Sequence, residues 1–243
     1  MEKGQLVVVT DFDGTLMEQD VGATLMKELG VEDRPDVRGK LERFLNKEIG
    51  SREWIHTSYG LLGDRQKEVD AIADRMNLRD GAEEFLAYCK NKSIPVTILS
   101  DGMKYYIDRI MAANHVTVDS VISNPIQYGE DGAYTLETQN TNPACSWCGC
   151  CKSGVVRKLK EEGKRVIYIG DGSSDIYGSS YADWIFARSS LARYLTREEI
   201  SFYPFATFHD ILKVVREREE HFLTGSPERR EPAGHSFCKF RST

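Results

Sequence analysis

The sequence predicts an α/β protein in which a parallel sheet is covered by helices and a block of helices is inserted after the first strand. Three observations predict this fold class. The β-branched run "QLVVVT" near the start is typical of a buried strand. Apolar residues then recur at three-four spacing to about residue 76, which indicates consecutive helices. After that, strand-like and helix-like segments alternate, as in a parallel sheet with helices on both faces.

The inserted helices are predicted in four segments, which are "VGATLMKELG", "DVRGKLERFLNKEIG", "SREWIHTSYGLL" and "DRQKEVDAIADRM". Ser51, followed by Glu53 and Trp54, marks the start of the third segment. Gly81 precedes a fifth helix, "AEEFLAYCKNKS". We therefore assign the helical insertion to residues 17–83.

Four more strands are predicted at "PVTILS", "VDSVISN", "KRVIYIG" and "DWIFA". The helices that alternate with them are predicted at "MKYYIDRIMAAN", "KSGVVRKLKEEG", "SLARYLTREE" and "FHDILKVVREREEHF". Residues 1–16 and 84–223 then form the core that contains the sheet. Residues 224–243 are polar and contain two prolines, and we expect a flexible tail there.

Composition and charge argue against several classes of protein function. The 243 residues include 32 Lys and Arg against 38 Asp and Glu, a formal net charge of −6. This charge disfavours general nucleic-acid binding, which needs a basic face. No apolar run has the length of a membrane span, and the start lacks a secretory signal pattern. We therefore expect a cytoplasmic protein with reduced cysteines and without nucleic-acid or membrane partners. The oligomeric state is left open.

Chemically reactive side chains follow three of the predicted strands. The first strand runs into Asp11–Thr15, the second into Ser100–Gly102 and a later one into Asp171–Asp175. Lys152 opens the helix that precedes this later strand. Ligands of open α/β sheets bind at the carboxyl ends of the strands. Four such segments in this order therefore predict one shared site rather than separate polar turns.

The residue types in these segments favour phosphoryl chemistry. One of the paired carboxylates, Asp11 and Asp13, can attack as a nucleophile while the other moves a proton. Crowded anions repel each other and a phosphate, so a divalent cation is needed, and the further carboxylate of Asp171 suits Mg²⁺. Ser100 and nearby backbone N–H groups can hold phosphate oxygens, and Lys152 adds a positive charge.

The motifs "DFDGT", "ILSDG", Lys152 and "GDGSSD" resemble those of haloacid dehalogenase superfamily phosphatases that carry a helical cap of type C1. The resemblance extends to about Phe222. It implies a Rossmann-like core, a cap over residues 17–83, and Mg²⁺ as cofactor. It implies Asp11 as nucleophile and Asp13 as general acid and base. The implied phosphate-binding residues are Ser100, Asp101, Gly102 and Lys152. The implied metal-binding residues are Asp11, Asp13, Asp171 and Asp175.

Narrower resemblances concern the substrate, which we expect to be a small phosphorylated metabolite. The segment "CSWCGCCK" and the cap segment "SREWIHTSYGLL" are similar to 2-hydroxy-3-keto-5-methylthiopentenyl-1-phosphate phosphatases of methionine salvage. Phosphocholine, phosphoethanolamine and phosphoserine phosphatases are alternatives. Asp20 holds the place where phosphoserine phosphatases contact the substrate amine, and Arg52 is a candidate for contact with a substrate carboxylate. A phosphotransferase and an inactive binding protein on the same fold are further alternatives.

The four cysteines of "CSWCGCC", residues 145–151, form a segment that we call the cysteine loop. Cys145 and Cys148 have CxxC spacing and, with Cys150 or Cys151, could form a zinc site. Structural zinc sites usually combine two separated ligand pairs, and this cluster stands alone. A packed or redox-sensitive loop that carries Lys152 into the site is the favoured alternative.

Overall fold

The computed structural model describes residues 4–129, 134–140, 142–143 and 145–225. Eight strands lie within these ranges: β1 Leu6–Thr10, β2 Val96–Met103, β3 Ser120–Asn124, β4 Ile126–Tyr128, β5 Tyr134–Leu136, β6 Arg165–Gly170, β7 Trp184–Ala187 and β8 Tyr203–Pro204. Eleven α-helices lie within the same ranges: α1 Val21–Glu28, α2 Pro35–Leu45, α3 Ser51–Ser58, α4 Gln66–Ala73, α5 Ala82–Asn91, α6 Lys104–Ala113, α7 Lys152–Glu161, α8 Asp175–Ser179, α9 Ser189–Arg197, α10 Phe208–Glu217 and α11 Glu219–Thr224.

Six of the described strands form one parallel sheet in the order β3-β2-β1-β6-β7-β8. Strand β1 lies between β2 and β6, with Val8 opposite both Val96 and Ile167. The carboxyl ends of these three strands are therefore neighbours at one edge of the sheet. The predicted α/β fold class with a helix-covered parallel sheet is confirmed.

The alternation of side chains along β1 explains why both faces of the sheet are covered. Val8 packs into one apolar cluster with Ile98 and Ile167. Val7 and Val9 pack into a second cluster on the other face. Every residue of β1 is buried, as expected for a central parallel strand, which reads as a continuous apolar run.

Helices α1 to α4 lie between β1 and β2, as the helical insertion predicts. The two chain segments that connect them to the sheet lie side by side, because Met17 and Leu78 form an antiparallel bridge. Helix α5 instead packs against α10, beside the sheet. The bounds of the insertion at residues 17 and 83 stay a prediction.

Several features differ from the sequence-based prediction, among them strand β8 and helix α8, which are too short to show a periodic pattern. Strands β4 and β5 pair as an antiparallel hairpin that was not predicted, because three residues are too few to show an alternating pattern. The last helix was predicted as one segment but is divided at Arg218, whose φ of −120° and ψ of 25° are not helical. After this break, Phe222 is fully buried with its ring 5.2 Å from that of Trp184.

The predicted flexible tail falls mostly on residues 226–243, which lie outside the described residues. Among the helices that the structure describes, none has the length and apolar character that a membrane crossing requires.

Candidate active site

Asp11 lies at the point where β1 ends beside β6. Its backbone N–H donates to the carbonyl oxygen of Ile169 at 2.9 Å, and the residue is 6% exposed. The chain then turns sharply at Gly14, which has a φ of +71°. A Cβ at this position would lie 3.0 Å from Oδ2 of Asp171. Both the left-handed backbone and the close approach therefore require glycine.

Lys152 places one positive charge between two of the carboxylates. Its Nζ donates to Oδ1 of Asp11 and to Oδ1 of Asp175, both at 2.7 Å, and the side chain is 2% exposed. Burial opposes the charged form of Lys152, but the carboxylates of Asp11 and Asp175 outweigh it and raise the lysine pKa well above its usual value. The ammonium is therefore held charged in the site.

Asp175 is held by four donors. Its Oδ1 accepts from Lys152 and from the hydroxyl of Tyr168 at 2.8 Å. Its Oδ2 accepts from the backbone N–H groups of Asp171 at 3.0 Å and Gly172 at 2.8 Å. These bonds orient Lys152 and the turn after β6. The resemblance implies a metal-binding role for Asp175, and the contact with Lys152 adds a second role, which is to hold the lysine in place.

A group of three carboxylates has the donor set for a hard cation. Oxygens of Asp11, Asp171 and Asp175 lie within 4.8 Å of one another. Burial raises the pKa of Asp11 well above its usual value, and repulsion from Asp175 adds to this shift while Lys152 opposes it. Burial also raises the pKa of Asp171, whose Oδ1 accepts from Thr15 Oγ1 at 2.8 Å. A site with two buried carboxylates and one half-buried carboxylate is compatible with an oxygen-ligated divalent cation such as Mg²⁺.

Asp13 has the surroundings of a group that can exchange a proton near neutral pH. Its Oδ1 accepts from the backbone N–H of Val21 at 3.0 Å. Its Oδ2 accepts from the hydroxyl of Tyr106 at 2.9 Å and from Ser100 Oγ at 3.2 Å. Burial and the nearby Asp20 raise the pKa of Asp13 to about 7, against the effect of these hydrogen bonds. A carboxyl with such a pKa suits general acid–base catalysis.

The last residues of β2 make contacts that the sequence did not predict, and the strand continues to Met103, beyond the predicted end at Ser100. Gly102 N–H donates to Ser100 Oγ at 2.9 Å. Oδ1 of Asp101 accepts from the N–H of Cys150 at 2.5 Å, and its carbonyl oxygen accepts from Asn124 at 2.6 Å. Burial raises the pKa of the Asp101 carboxyl. The side chain of Asp101 thus holds the cysteine loop in place, while Ser100 lies against the carboxyl of Asp13.

One cavity of about 460 Å³ collects most of the predicted site residues. The predicted residues that line it are Asp11, Asp13, Asp20, Ser100, Asp101, Gly102, Lys152 and Asp171. Asp20 also caps helix α1, since its Oδ1 accepts from the N–H of Ala23 at 2.7 Å. Arg52 is absent from the described residues that line the cavity. Its backbone N–H donates to the carbonyl oxygen of Trp147 at 3.2 Å.

Arg79 is a buried residue of the site that sequence reasoning missed. It is 7% exposed, and its guanidinium donates to four carbonyl oxygens of the turn after β1. The acceptors are Thr15 at 2.8 Å, Gly14 at 2.6 Å, Met17 at 3.0 Å and Glu18 at 3.1 Å. Arg79 therefore holds the turn that follows Asp11. A lone arginine outside any motif carries no sequence signal for this role.

We expect Arg79→Lys to lower the free energy of unfolding by about 2 kcal/mol, since a lysine cannot satisfy all of these buried acceptors. The turn after Asp11 should loosen, so the rate of phosphate release should fall as well. Urea denaturation and a phosphate assay measure the two effects. Arg75→Lys is a matched control, because the Arg75 side chain is 51% exposed and pairs with Glu28 at the surface. Equal stability of the two variants would contradict the role of Arg79.

The cysteine loop has the contacts of a packed loop. Cys150 is buried, and burial raises the pKa of its thiol above its usual value. Asn140 Nδ2 donates to the carbonyl oxygens of Cys145 at 3.1 Å and Cys148 at 2.7 Å. Among the described residues, the aspartate trio is the group of three metal-ligating side chains within 4.8 Å, and the thiols form no such group. All four cysteines line one small cavity, so the packed or redox-sensitive loop stays the prediction and the zinc site its alternative.

Comparison with known proteins identifies the class. A family model described as haloacid dehalogenase-like hydrolase matches residues 8–178, more than half of the chain. The chain belongs to this family. Its sequence-based assignment as a phosphomonoester phosphatase is confirmed at the level of the class by relatives that bear phosphatase names.

Two of these relatives are named 2-hydroxy-3-keto-5-methylthiopentenyl-1-phosphate phosphatase. The chain is 28% identical to the one from Lysinibacillus sphaericus over 221 residues, which cover 88% of this chain and 95% of the relative. It is 27% identical to the one from Brevibacillus brevis over 222 residues, which cover 90% of this chain and 99% of the relative. A solved structure of a phospho-aspartyl intermediate analogue of phosphoserine phosphatase superposes with a TM-score of 0.65 at 21% identity, covering 87% of this chain and 99% of that one. This last match supports the fold.

Proposed function

We propose that the protein is a Mg²⁺-dependent phosphatase that hydrolyses a small phosphate monoester through a phosphoryl group held on Asp11. The observation that carries the proposal is the placement of Asp11, Asp13, Lys152 and Asp171 around one cavity at the carboxyl ends of the strands. Asp11 supplies the nucleophile, and Lys152 lies 2.7 Å from it as a fixed positive charge. Such preorganised charge stabilises the transition state of phosphoryl transfer.

The proposed steps use residues of the chain itself. The carboxylate of Asp11 attacks phosphorus, and the carboxyl of Asp13 gives its proton to the leaving alcohol. Asp13 then takes a proton from the water that hydrolyses the aspartyl-phosphate. Asp171, Asp11 and the backbone carbonyl of Asp13 would hold Mg²⁺, which neutralises charge on the phosphoryl oxygens when bound. Ser100 would bind the phosphoryl group, and residues 17–83 would close as a cap over the cavity and exclude water.

For the substrate, we propose the methylthiopentenyl phosphate named in the bacterial relatives. The sequence matches extend over nearly the full length of those proteins. The cavity also has an apolar part formed by helices of the insertion, which agrees with an ester that carries a methylthio chain. Phosphoserine is disfavoured, because no arginine is among the described residues that line the cavity and could bind its carboxylate.

The test is phosphate release from a panel of esters, with Mg²⁺ and after its removal by a chelator. The panel contains the methylthiopentenyl phosphate, phosphoserine, phosphocholine, phosphoethanolamine and several sugar phosphates. We expect release to require Mg²⁺ and to be fastest with the first ester. Strong preference for another ester would replace the proposed substrate. Transfer to an added alcohol would indicate a phosphotransferase, and absence of any Mg²⁺-dependent release would favour a binding protein.

A further inference from the structure

The cavity contains an apolar region that the proposed chemistry does not use. Its polar lining comes mainly from the turns after β1 and β6 and from the last residues of β2, which carry the reacting groups. Its apolar lining comes mostly from the helical insertion and from the cysteine loop, and includes Met26, Leu41, Phe44, Leu45, Trp54 and Trp147. The proposed reaction needs no apolar contact at phosphorus, so these side chains are available for the part of the ester away from it.

Two observations indicate that this region is built to contact a ligand. The rings of Phe44 and Trp54 stack with centroids 5.7 Å apart and planes 9° apart, which gives a rigid aromatic wall. Leu45 is 68% exposed although it lines the cavity. Only one other large apolar side chain among the described residues, Leu223, is classed as exposed, at 43%. Leu45 therefore presents apolar surface at the cavity that a ligand would remove from water.

Trp147 reaches this region because the cysteine loop is fastened to the start of α3. Its carbonyl oxygen accepts from the N–H of Arg52 at 3.2 Å, and the N–H of Gly149 donates to Ser51 Oγ at 3.1 Å. The backbone of the cysteine loop comes very close to the backbone at Gly50, the residue before α3. A Cβ on Gly50 would lie 1.9 Å from the Trp147 carbonyl oxygen. The position of Trp147 is thus tied to the insertion, although the residue belongs to the loop that carries Lys152.

We infer that Trp147, with Phe44 and Trp54, forms a subsite for the uncharged, apolar end of the leaving group, and that Trp147 is a determinant of substrate specificity. The inference rests on the proposed function and names the class of ester that the site takes. The subsite then has two sides. Helices of the insertion form one side, and the cysteine loop forms the other.

The charges around the cavity favour an uncharged end over a carboxylate. Its cationic lining residues among the described part of the chain are Lys152, which contacts two aspartates, and Lys47, which is exposed. A terminal carboxylate would therefore be buried without a buried cationic partner, which is unfavourable. A terminal ammonium would meet Asp20 and the half-buried Glu32, although Oδ1 of Asp20 already accepts the capping bond of α1. Apolar contact with the aromatic wall is the interaction that this region offers most directly.

The experiment measures kcat/KM with Mg²⁺ for primary alkyl phosphates from ethyl to pentyl. It also compares esters of one chain length that end in a methylthio, a carboxylate or a trimethylammonium group. We expect kcat/KM to rise roughly fourfold per methylene and the methylthio ester to exceed both charged esters at least about tenfold. Trp147→Ala should flatten the dependence on chain length, and Trp147→Phe should retain part of it.

Matched leucine variants provide a control that does not depend on the folding of Trp147→Ala. Leu45→Ala should reduce the chain-length dependence, whereas Leu223→Ala, on α11 and outside the cavity lining, should leave it unchanged. A flat alkyl series with Mg²⁺-dependent hydrolysis intact would overturn the inference and leave the proposed function standing. Preference for either charged ester would also overturn it. Absence of release from every ester would overturn both.

Discussion

We expect Asp11→Asn to abolish phosphate release while the fold stays intact. The asparagine amide has nearly the same shape but cannot attack phosphorus as a carboxylate does. The side chain is 8% exposed and bonded to Lys152, and the asparagine can keep this packing. The expected loss in kcat is at least roughly ten-thousandfold, as when a nucleophile that acts together with other catalytic residues is removed. Phosphate release, thermal unfolding and transfer of labelled phosphate to the protein measure the outcome.

Asp33→Asn is the matched control for this variant, because the Asp33 side chain is 79% exposed and lies in the insertion. It should behave as wild type in all three measurements. Turnover retained by Asp11→Asn would exclude a covalent intermediate on Asp11. Loss of turnover with a large drop in thermal stability would instead mean that the charge of Asp11 is needed for folding. In that case, transfer of labelled phosphate to the wild-type protein would decide whether an aspartyl-phosphate forms.

We expect Lys152→Ala to lower kcat on the order of a hundredfold or more, as for removal of one preorganised charge-stabilising group. The lysine contacts Asp11 and Asp175 together, so its loss leaves two buried carboxylates without their cation. The pKa of Asp11 should then rise further above its usual value. A larger fraction of Asp11 is protonated at a given pH, so the residual activity should increase as the pH is raised. A pH–rate profile of phosphate release tests this shift.

Lys104→Ala is a matched control, since Lys104 is an exposed lysine that pairs with Asp108 within one helix turn. Surface pairs of this kind contribute little to stability, and neither the rate nor the pH profile should change. A negligible effect of Lys152→Ala on kcat would mean that another cation stabilises the phosphoryl group. An unchanged pH profile with a reduced rate would mean that Lys152 does not control the charge of Asp11.

Much of the site could be predicted from the sequence because its parts are local. The polar residues at Asp11, Ser100 and Asp171 directly follow apolar strand segments, and parallel strands place such residues at the same edge of a sheet. Lys152 begins a helix, and its preceding loop carries four cysteines in seven residues. These relations need no knowledge of distant contacts. The roles of the site residues nevertheless stay predictions until the variants above are measured.

Other parts of the site could not be predicted, since they depend on pairs of residues far apart in the chain. Arg79 holds the carbonyl oxygen of Gly14 from 65 residues away. Tyr106 contacts Asp13 across 93 residues, and Ser51 receives the N–H of Gly149 across 98. A backbone carbonyl accepts from any suitable donor, so the sequence around it does not identify its partner. The same applies to the pairing of β4 with β5.

The sequence by itself determined the fold class, the strand-end carboxylates and the helical insertion, because side-chain periodicity and residue type act within one element. The tertiary structure decided which elements meet. It placed β1 between β2 and β6, buried Arg79 under the turn after Asp11 and brought Trp147 to the insertion. Those contacts form only when apolar faces pack and buried polar groups are hydrogen-bonded. Which residues meet therefore depends on the complete folded chain and not on any single segment.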